Sequence, residues 1–232
     1  ATLEVDLDAS YLKYPNTARQ HAEAVLAEMD CKADFLNSAG FTASNLPDLP
    51  TDIEFMTCPR VISDLTARGG LSIGAKVRNL LHQAPFPVLI PAQAFKEWHH
   101  VAVLFGGSKN GLTALRLGMS IAKTSGLPLE IFTQAEQGRR RADYEAIITG
   151  AGLDAELQKV LDQWHFYAAG DFIDNLFTLP HDALIVMGIF GHGLVKDMFF
   201  GTTAETVQSS MANSLLLAGP KLSPNHWHRL TT

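Results

Sequence analysis

From residue 101 onward, short unbroken apolar runs alternate with stretches whose apolar residues return every three or four positions. Val101-Ala102-Val103-Leu104-Phe105, closed by Gly106-Gly107-Ser108, has the pattern of a buried parallel strand and a tight turn. Leu112, Leu115, Met119 and Ala122 then recur at helical spacing until Gly126. Leu129-Glu130-Ile131-Phe132-Thr133 predicts a second strand, and an arginine-rich helix follows through about residue 148. Residues 155–161 have helical composition, and the aromatic run Trp164-His165-Phe166-Tyr167 predicts a third strand. A helix over about 171–179 leads to Ala183-Leu184-Ile185-Val186-Met187, a fourth strand that ends on Gly188. Gly201 opens a helix with Ala204, Val207 and Met211 on one face, and Leu215-Leu216-Leu217 makes a fifth strand before Pro220. Strands alternating with helices predict an α/β fold, an open and mostly parallel sheet covered on both faces.

The first half of the chain reads as a partial copy of the second. A shift of 127 residues lays Gly74-Ala75-Lys76-Val77 over Gly201-Thr202-Thr203-Ala204 and Val88-Leu89-Ile90 over Leu215-Leu216-Leu217; a shift of 126 lays Leu3-Glu4-Val5 over Leu129-Glu130-Ile131. Two tandem repeats follow: residues 1–95, degenerate and opening at their second strand, and residues 96–232, complete. By this register the first repeat's opening strand and helix would be expected to precede Ala1. Residues 45–51 are read as loop and residues 92–100 as the linker.

Composition narrows the class. The chain has 232 residues, 47% hydrophobic and 18% charged, which excludes a disordered chain. Only 2 cysteines, Cys31 and Cys58, exclude a disulfide scaffold and predict structural thiols in a reducing compartment. A net charge of −6 with one short basic run, Arg139-Arg140-Arg141, gives no footprint for nucleic acid. No apolar stretch is long enough to cross a bilayer, and Glu4, Asp6 and Asp8 fall where a signal peptide needs apolar residues. The expectation is a soluble cytoplasmic protein.

The chemistry concentrates after the fourth strand, where Gly188-Ile189-Phe190-Gly191 is followed by nine residues and then Gly201-Thr202. Glycines after a strand let main-chain N–H groups approach a ligand, and the start of a helix at Gly201 offers unpaired N–H groups to an anion, with Thr202 and Thr203 adding hydroxyls. In an open α/β sheet, ligands bind beyond the carboxyl ends of the strands where the winding reverses, which would bring Gly106, Gly107 and Ser108 to face this loop.

The spacing Gly-x2-Gly-x9-Gly-Ser/Thr, with the strand before it, resembles the nucleotide-binding signature of the universal stress protein family, over about residues 101–220. That resemblance implies strand order 3-2-1-4-5, a site for ATP or another adenine nucleotide with or without Mg, dimerisation through the last strands, and a role in the stress response. It places phosphates and ribose on Gly188, Gly191, Gly201, Thr202 and Thr203, with Gly106, Gly107, Ser108, Phe132 and Thr133 bordering the adenine. Nucleotide-binding members usually carry Asp where Gly106 stands and a polar residue where Phe190 stands. His192 takes a place often held by a basic residue, and is read either as a phosphate contact or as an exposed loop histidine. By the 127-residue register Val61 and Asp64 stand at the first two glycine positions of the first repeat, and Ala75 replaces the hydroxyl residue. One nucleotide site per chain is therefore expected, in the second repeat, with the first repeat as its pairing partner within the chain or a homodimer formed instead.

Two other readings stay open: a scaffold of the same fold that kept its glycines for loop shape, and an ATP-using enzyme. The latter rests on a distant likeness of Gly106-Gly107-Ser108 to the loop of ATP pyrophosphatases, with Phe105 where the loop has Ser and Asn110 near its Asp. No set of catalytic side chains can be assembled from sequence, so at most slow ATP hydrolysis is expected. His99, His100, His226 and His228 are read as surface or tail histidines without a metal, and the 164–167 aromatics as a buried strand and not a base-stacking platform.

Overall fold

The computed structural model describes residues 15–33, 54–58, 75–92, 96–190, 207 and 211–223. The strand expected at residues 3–5, the loop at 45–51, Val61, Asp64 and the tail histidines fall outside them. The first half contributes helix α1 (Pro15–Glu28), strand β1 (Met56–Thr57), helix α2 (Ala75–Gln83) and strand β2 (Val88–Ile90). Residues 100–188 follow the predicted alternation, β3 (His100–Leu104), α3 (Lys109–Ser125), β4 (Leu129–Gln134), α4 (Arg141–Gly150), α5 (Asp154–Val160), β5 (Leu161–Tyr167), α6 (Phe172–Leu176) and β6 (Ala183–Gly188), and β7 (Leu215–Ala218) is the predicted fifth strand; the helix expected to open at Gly201 falls outside the described residues except at Val207 and Met211. α3 starts at an N-cap serine, Ser108, and stops at Gly126, whose φ of 74° suits a residue without Cβ.

Among the described residues seven strands form one sheet in the order β1-β2-β7-β6-β3-β4-β5. Within it β5-β4-β3-β6-β7 is the expected 3-2-1-4-5 order. The difference from expectation is that the sheet does not stop at β7 but continues into β2 and β1. All pairings are parallel except β2 with β7, where Val88 faces Leu217, Leu89 faces Leu216 and Ile90 faces Leu215. Residues related by the 127-residue shift thus exchange places about the Leu89–Leu216 pair, a local two-fold relation. The same offset joins two equivalent helix bonds, Ala84 N–H to Leu80 O and Met211 N–H to Val207 O, both 2.8 Å.

One detail of the register differs. Met56 N–H bonds Pro87 O as Ile185 N–H bonds Ser214 O, so β1 matches β6 at an offset of 129. That slip moves the first-half counterparts of Gly188 and Gly191 from Val61 and Asp64 to Pro59 and Ile62, sequence positions outside the described residues.

Period-two alternation splits the core into two layers. Ala102, Ile185, Met187, Leu215, Leu217, Val88 and Ile90 face one side, beneath Leu80 and Leu81 of α2, Val207, and Leu176 and Leu179 of the α6 segment. Val101, Val103, Leu184, Val186, Leu216 and Leu89 face the other, beneath α3, α4 and α5. The first half thus supplies core to the second, and the two share one sheet. Two elements depart from the predicted bounds. β5 begins at Leu161, earlier than the aromatic run, with an extra residue, Asp162, bulged between the Leu129–Leu161 and Glu130–Gln163 pairs. α6 is shorter than the predicted 171–179 helix, capped by the Asp171 carboxylate accepting from Ile173 N–H at 2.8 Å.

Candidate functional site

β3 and β6 are parallel neighbours, Leu104 beside Met187, and the chain leaves them in opposite directions: to β4 on one side and to β7 on the other. Their carboxyl ends therefore mark the reversal of winding, and the candidate site is built there.

The turn after β3 carries Gly106, Gly107 and Ser108. Gly107 has φ +74°, and a Cβ there would lie 3.0 Å from Ile147 Cδ1 and 3.3 Å from Tyr144 Cδ1, so α4 packs directly over the turn. Ser108 caps α3, its Oγ accepting from Gly111 N–H at 3.0 Å, which leaves its own O–H as a donor beside the unpaired first-turn N–H groups of a 17-residue helix. The wall behind is set by Tyr144, whose hydroxyl accepts from Glu136 N–H at 3.0 Å and whose ionisation burial pushes up from its ordinary range. Arg139 lies over the Tyr144 ring at 5.7 Å and Arg141 over the Trp164 ring at 4.9 Å.

Gly188 ends β6 directly against the first turn of α3. A Cβ on it would stand 2.3 Å from both the carbonyl carbon and oxygen of Asn110 and 2.6 Å from Gly111 N. The glycine is thus required by backbone packing, a role distinct from the ligand approach expected of it. Asn110 is buried, and its Nδ2 donates to Ile189 O, tying the turn after β6 to α3. Phe190 follows with φ +58°, left-handed for a bulky residue, and its ring meets the edge of His82 of α2 at 4.9 Å between centroids, 69° between planes.

Thr133 and Phe132 do not border an open site as expected. Thr133 is fully buried, donating to Phe105 O at 2.9 Å and accepting from Trp164 Nε1 at 3.1 Å. Phe132 is buried on the other face, stacked on His165 at 4.2 Å. β4 runs on to Gln134, so both side chains are held inside the sheet by its neighbours. Gly191, His192, Gly201, Thr202 and Thr203 lie outside the described residues. The structure therefore brings together Gly106, Gly107, Ser108 and Gly188, and adds Asn110 and His82. In the sequence Asn110 stands out only for its place near the Asp of the pyrophosphatase loop, and its bond to Ile189 O gives it a different role. His82 had no local signal, since its place depends on how β2 pairs.

Away from this end, the buried Glu130 carboxylate lies between two imidazoles: Oε2 is 2.9 Å from His165 Nε2, and Oε1 is 2.8 Å from His100 Nδ1, an ion-pair distance without hydrogen-bond alignment. Among the described residues no group of three His, Cys, Asp or Glu side chains is arranged to hold a metal ion, and no helix is long and apolar enough to cross a membrane. A cavity of about 700 Å³, lined by Arg116, Lys123, Lys159, Glu156 and Asp162 among others, lies at the opposite end of the sheet, beside Pro128 and Leu161.

No family model matches the chain, and no curated protein matches it. Among solved structures it is similar to a universal stress protein from Archaeoglobus fulgidus DSM 4304, with TM-score 0.60 and 20% identity over 94% of this chain and 82% of that one. It is also similar to a Pseudomonas aeruginosa UCBPP-PA14 protein provisionally assigned to the same family, with TM-score 0.55 and 14% identity over 98% and 83% of the two chains. A functionally unknown protein from Pseudomonas aeruginosa PAO1 gives TM-score 0.54 and 15% identity over 98% and 82%. The chain has the fold of the universal stress proteins.

Proposed function

We propose that this chain is a tandem universal stress protein whose second repeat, residues 96–232, binds ATP or another adenine nucleotide at the carboxyl ends of β3 and β6 and acts as a cytoplasmic regulatory module in the stress response. The carrying observation is positional. Gly188, which opens the Gly-x2-Gly-x9-Gly-Thr spacing, lies against the capped N-terminus of α3 at the reversal of winding, the place where open α/β sheets hold ligands. The donors suit an anion: the Ser108 O–H and the first-turn N–H groups of α3, with Gly191, Gly201, Thr202 and Thr203 completing the phosphate contacts by their place in the motif. Backbone donors are needed, because the chain carries a net charge of −6 and its overall field opposes a phosphate. Any Mg would arrive with the nucleotide, held by phosphate oxygens and water. Pairing of β2 with β7 takes the place that a second subunit's last strand would occupy.

A second reading, a scaffold that binds no nucleotide, is favoured by one observation. Gly107 is accounted for by its φ of +74° and Gly188 by packing, neither needing a ligand, and Gly106 stands where binding members usually carry Asp. Calorimetric titration of purified protein with ATP and AMP separates the two. The nucleotide reading expects saturable binding that Gly191→Val abolishes; absence of binding at millimolar concentration overturns it in favour of the scaffold. Partner-dependent release of pyrophosphate would point to an ATP-using enzyme.

A further inference from the structure

The turn that follows β6 is gripped from two sides that are far apart in sequence. From α3, Asn110 Nδ2 donates to Ile189 O. From the first half, the His82 ring packs edge-on against Phe190, the next residue, at 4.9 Å and 69°. Phe190 has φ +58°, a conformation a large side chain keeps only where its surroundings hold it. His82 is itself well anchored. Its neighbours Leu80 and Leu81 are buried, and the Ala84 N–H to Leu80 O bond closes the end of α2. The last turn of α2 is pressed so closely on the end of β7 that a Cβ on Gly219 would lie 2.3 Å from Leu81 O. β2 pairing with β7 fixes this placement within one chain.

We propose that His82 is a positioning residue for the candidate site, through which the first half of the chain sets the turn between the first two glycine positions of the motif in the second. It acts through Phe190 by ring packing. The geometry stands without a ligand; the consequence for affinity rests on the nucleotide reading above.

The test compares wild type, His82→Ala and His82→Phe by two measurements. Amide hydrogen exchange without nucleotide should rise several-fold in His82→Ala at Ile189, whose N–H donates to Ala218 O at 3.0 Å, return to the wild-type rate in His82→Phe, and stay constant at Val186 within β6. Affinity for ATP should fall about 2- to 10-fold in His82→Ala, the range of an edge-to-face ring pair, and recover in His82→Phe. Unchanged exchange at Ile189 in His82→Ala overturns the proposal, as does failure of the phenylalanine to restore it, or an equal rise at Val186, which would mark a general loss of stability. If wild type binds no nucleotide at millimolar concentration, the nucleotide reading fails while the exchange result still decides the positioning role.

Discussion

Gly188→Ala tests whether the glycine that opens the motif is held there by packing. The new Cβ would stand 2.3 Å from Asn110 C and O and 2.6 Å from Gly111 N, about an ångström inside the ordinary contact distance. All three atoms are backbone of the first turn of α3, so no rotamer change relieves the overlap. α3 cannot withdraw freely, because Ala114, Leu115, Leu117 and Ala122 bury it against the sheet. Overpacking of this kind costs about 1–3 kcal/mol. Displacing the turn also breaks the buried Asn110–Ile189 hydrogen bond, about 1–3 kcal/mol more. The two share one movement and do not add fully, so a loss of about 2–5 kcal/mol is expected. For a chain of this size that is roughly 5–15 °C in Tm. Urea unfolding followed by circular dichroism would read it as a lower midpoint at unchanged slope. Gly138→Ala is the control: φ there is +83° but a Cβ would meet nothing within 4 Å, so only backbone strain of about 1–2 kcal/mol applies. If Gly188→Ala lies within about 0.5 kcal/mol of wild type, or costs no more than Gly138→Ala, the close-approach argument is wrong.

Thr133→Val should destabilise by about 1–3 kcal/mol by leaving Phe105 O and Trp164 Nε1–H unpaired, with a change in Trp164 fluorescence; equal stability would show that these bonds are replaced by water. Glu130→Ala removes the carboxylate between His100 and His165 and should move the NMR signals of both rings, an unmoved His100 ring contradicting the shared contact. Burial pushes the Cys58 thiol up to about 12 from 9.0, so its neutral form is favoured in the fold. Its stabilising contribution is complete below pH 9 and declines as pH rises toward 12, because there the unfolded chain releases a proton that the folded chain keeps. Stability measured across that alkaline range should therefore fall for wild type more steeply than for Cys58→Ala. Thiol labelling of the native protein near neutrality should modify half-exposed Cys31 well before Cys58.

Local pattern was enough to read four strands of the second half. Apolar runs closed by glycine are buried strands whatever lies beside them, and the bounds of β3, β4, β6 and β7 fall within a residue or so of those read from the run of side chains. β5 began earlier than read because Asp162 and Gln163 are polar, and a strand at the edge of the sheet tolerates polar residues that an inner strand does not. Val88-Leu89-Ile90 and Leu215-Leu216-Leu217 were legible as strands, but only the ladder fixes that they pair with each other, and only the hydrogen bonds to Pro87 and Ser214 fix that β1 stands two residues off the 127-residue register.

At the site the division is sharper. The glycine spacing located the end of β6 and, with the winding rule, its nearness to Gly106, Gly107 and Ser108. What each residue does there was settled by atoms distant in sequence. Thr133 turned inward because Phe105 O and Trp164 Nε1 lie on either side of it, Gly188 met α3 rather than open space, and His82 reached Phe190 from 108 positions away through the antiparallel pairing of β2 with β7. Sequence by itself determined the order and kind of the elements between residues 100 and 188, since period and chain breaks are properties of neighbouring residues. Tertiary structure alone decided which backbone and ring atoms come within contact distance, since that depends on how separately specified elements stack and pair.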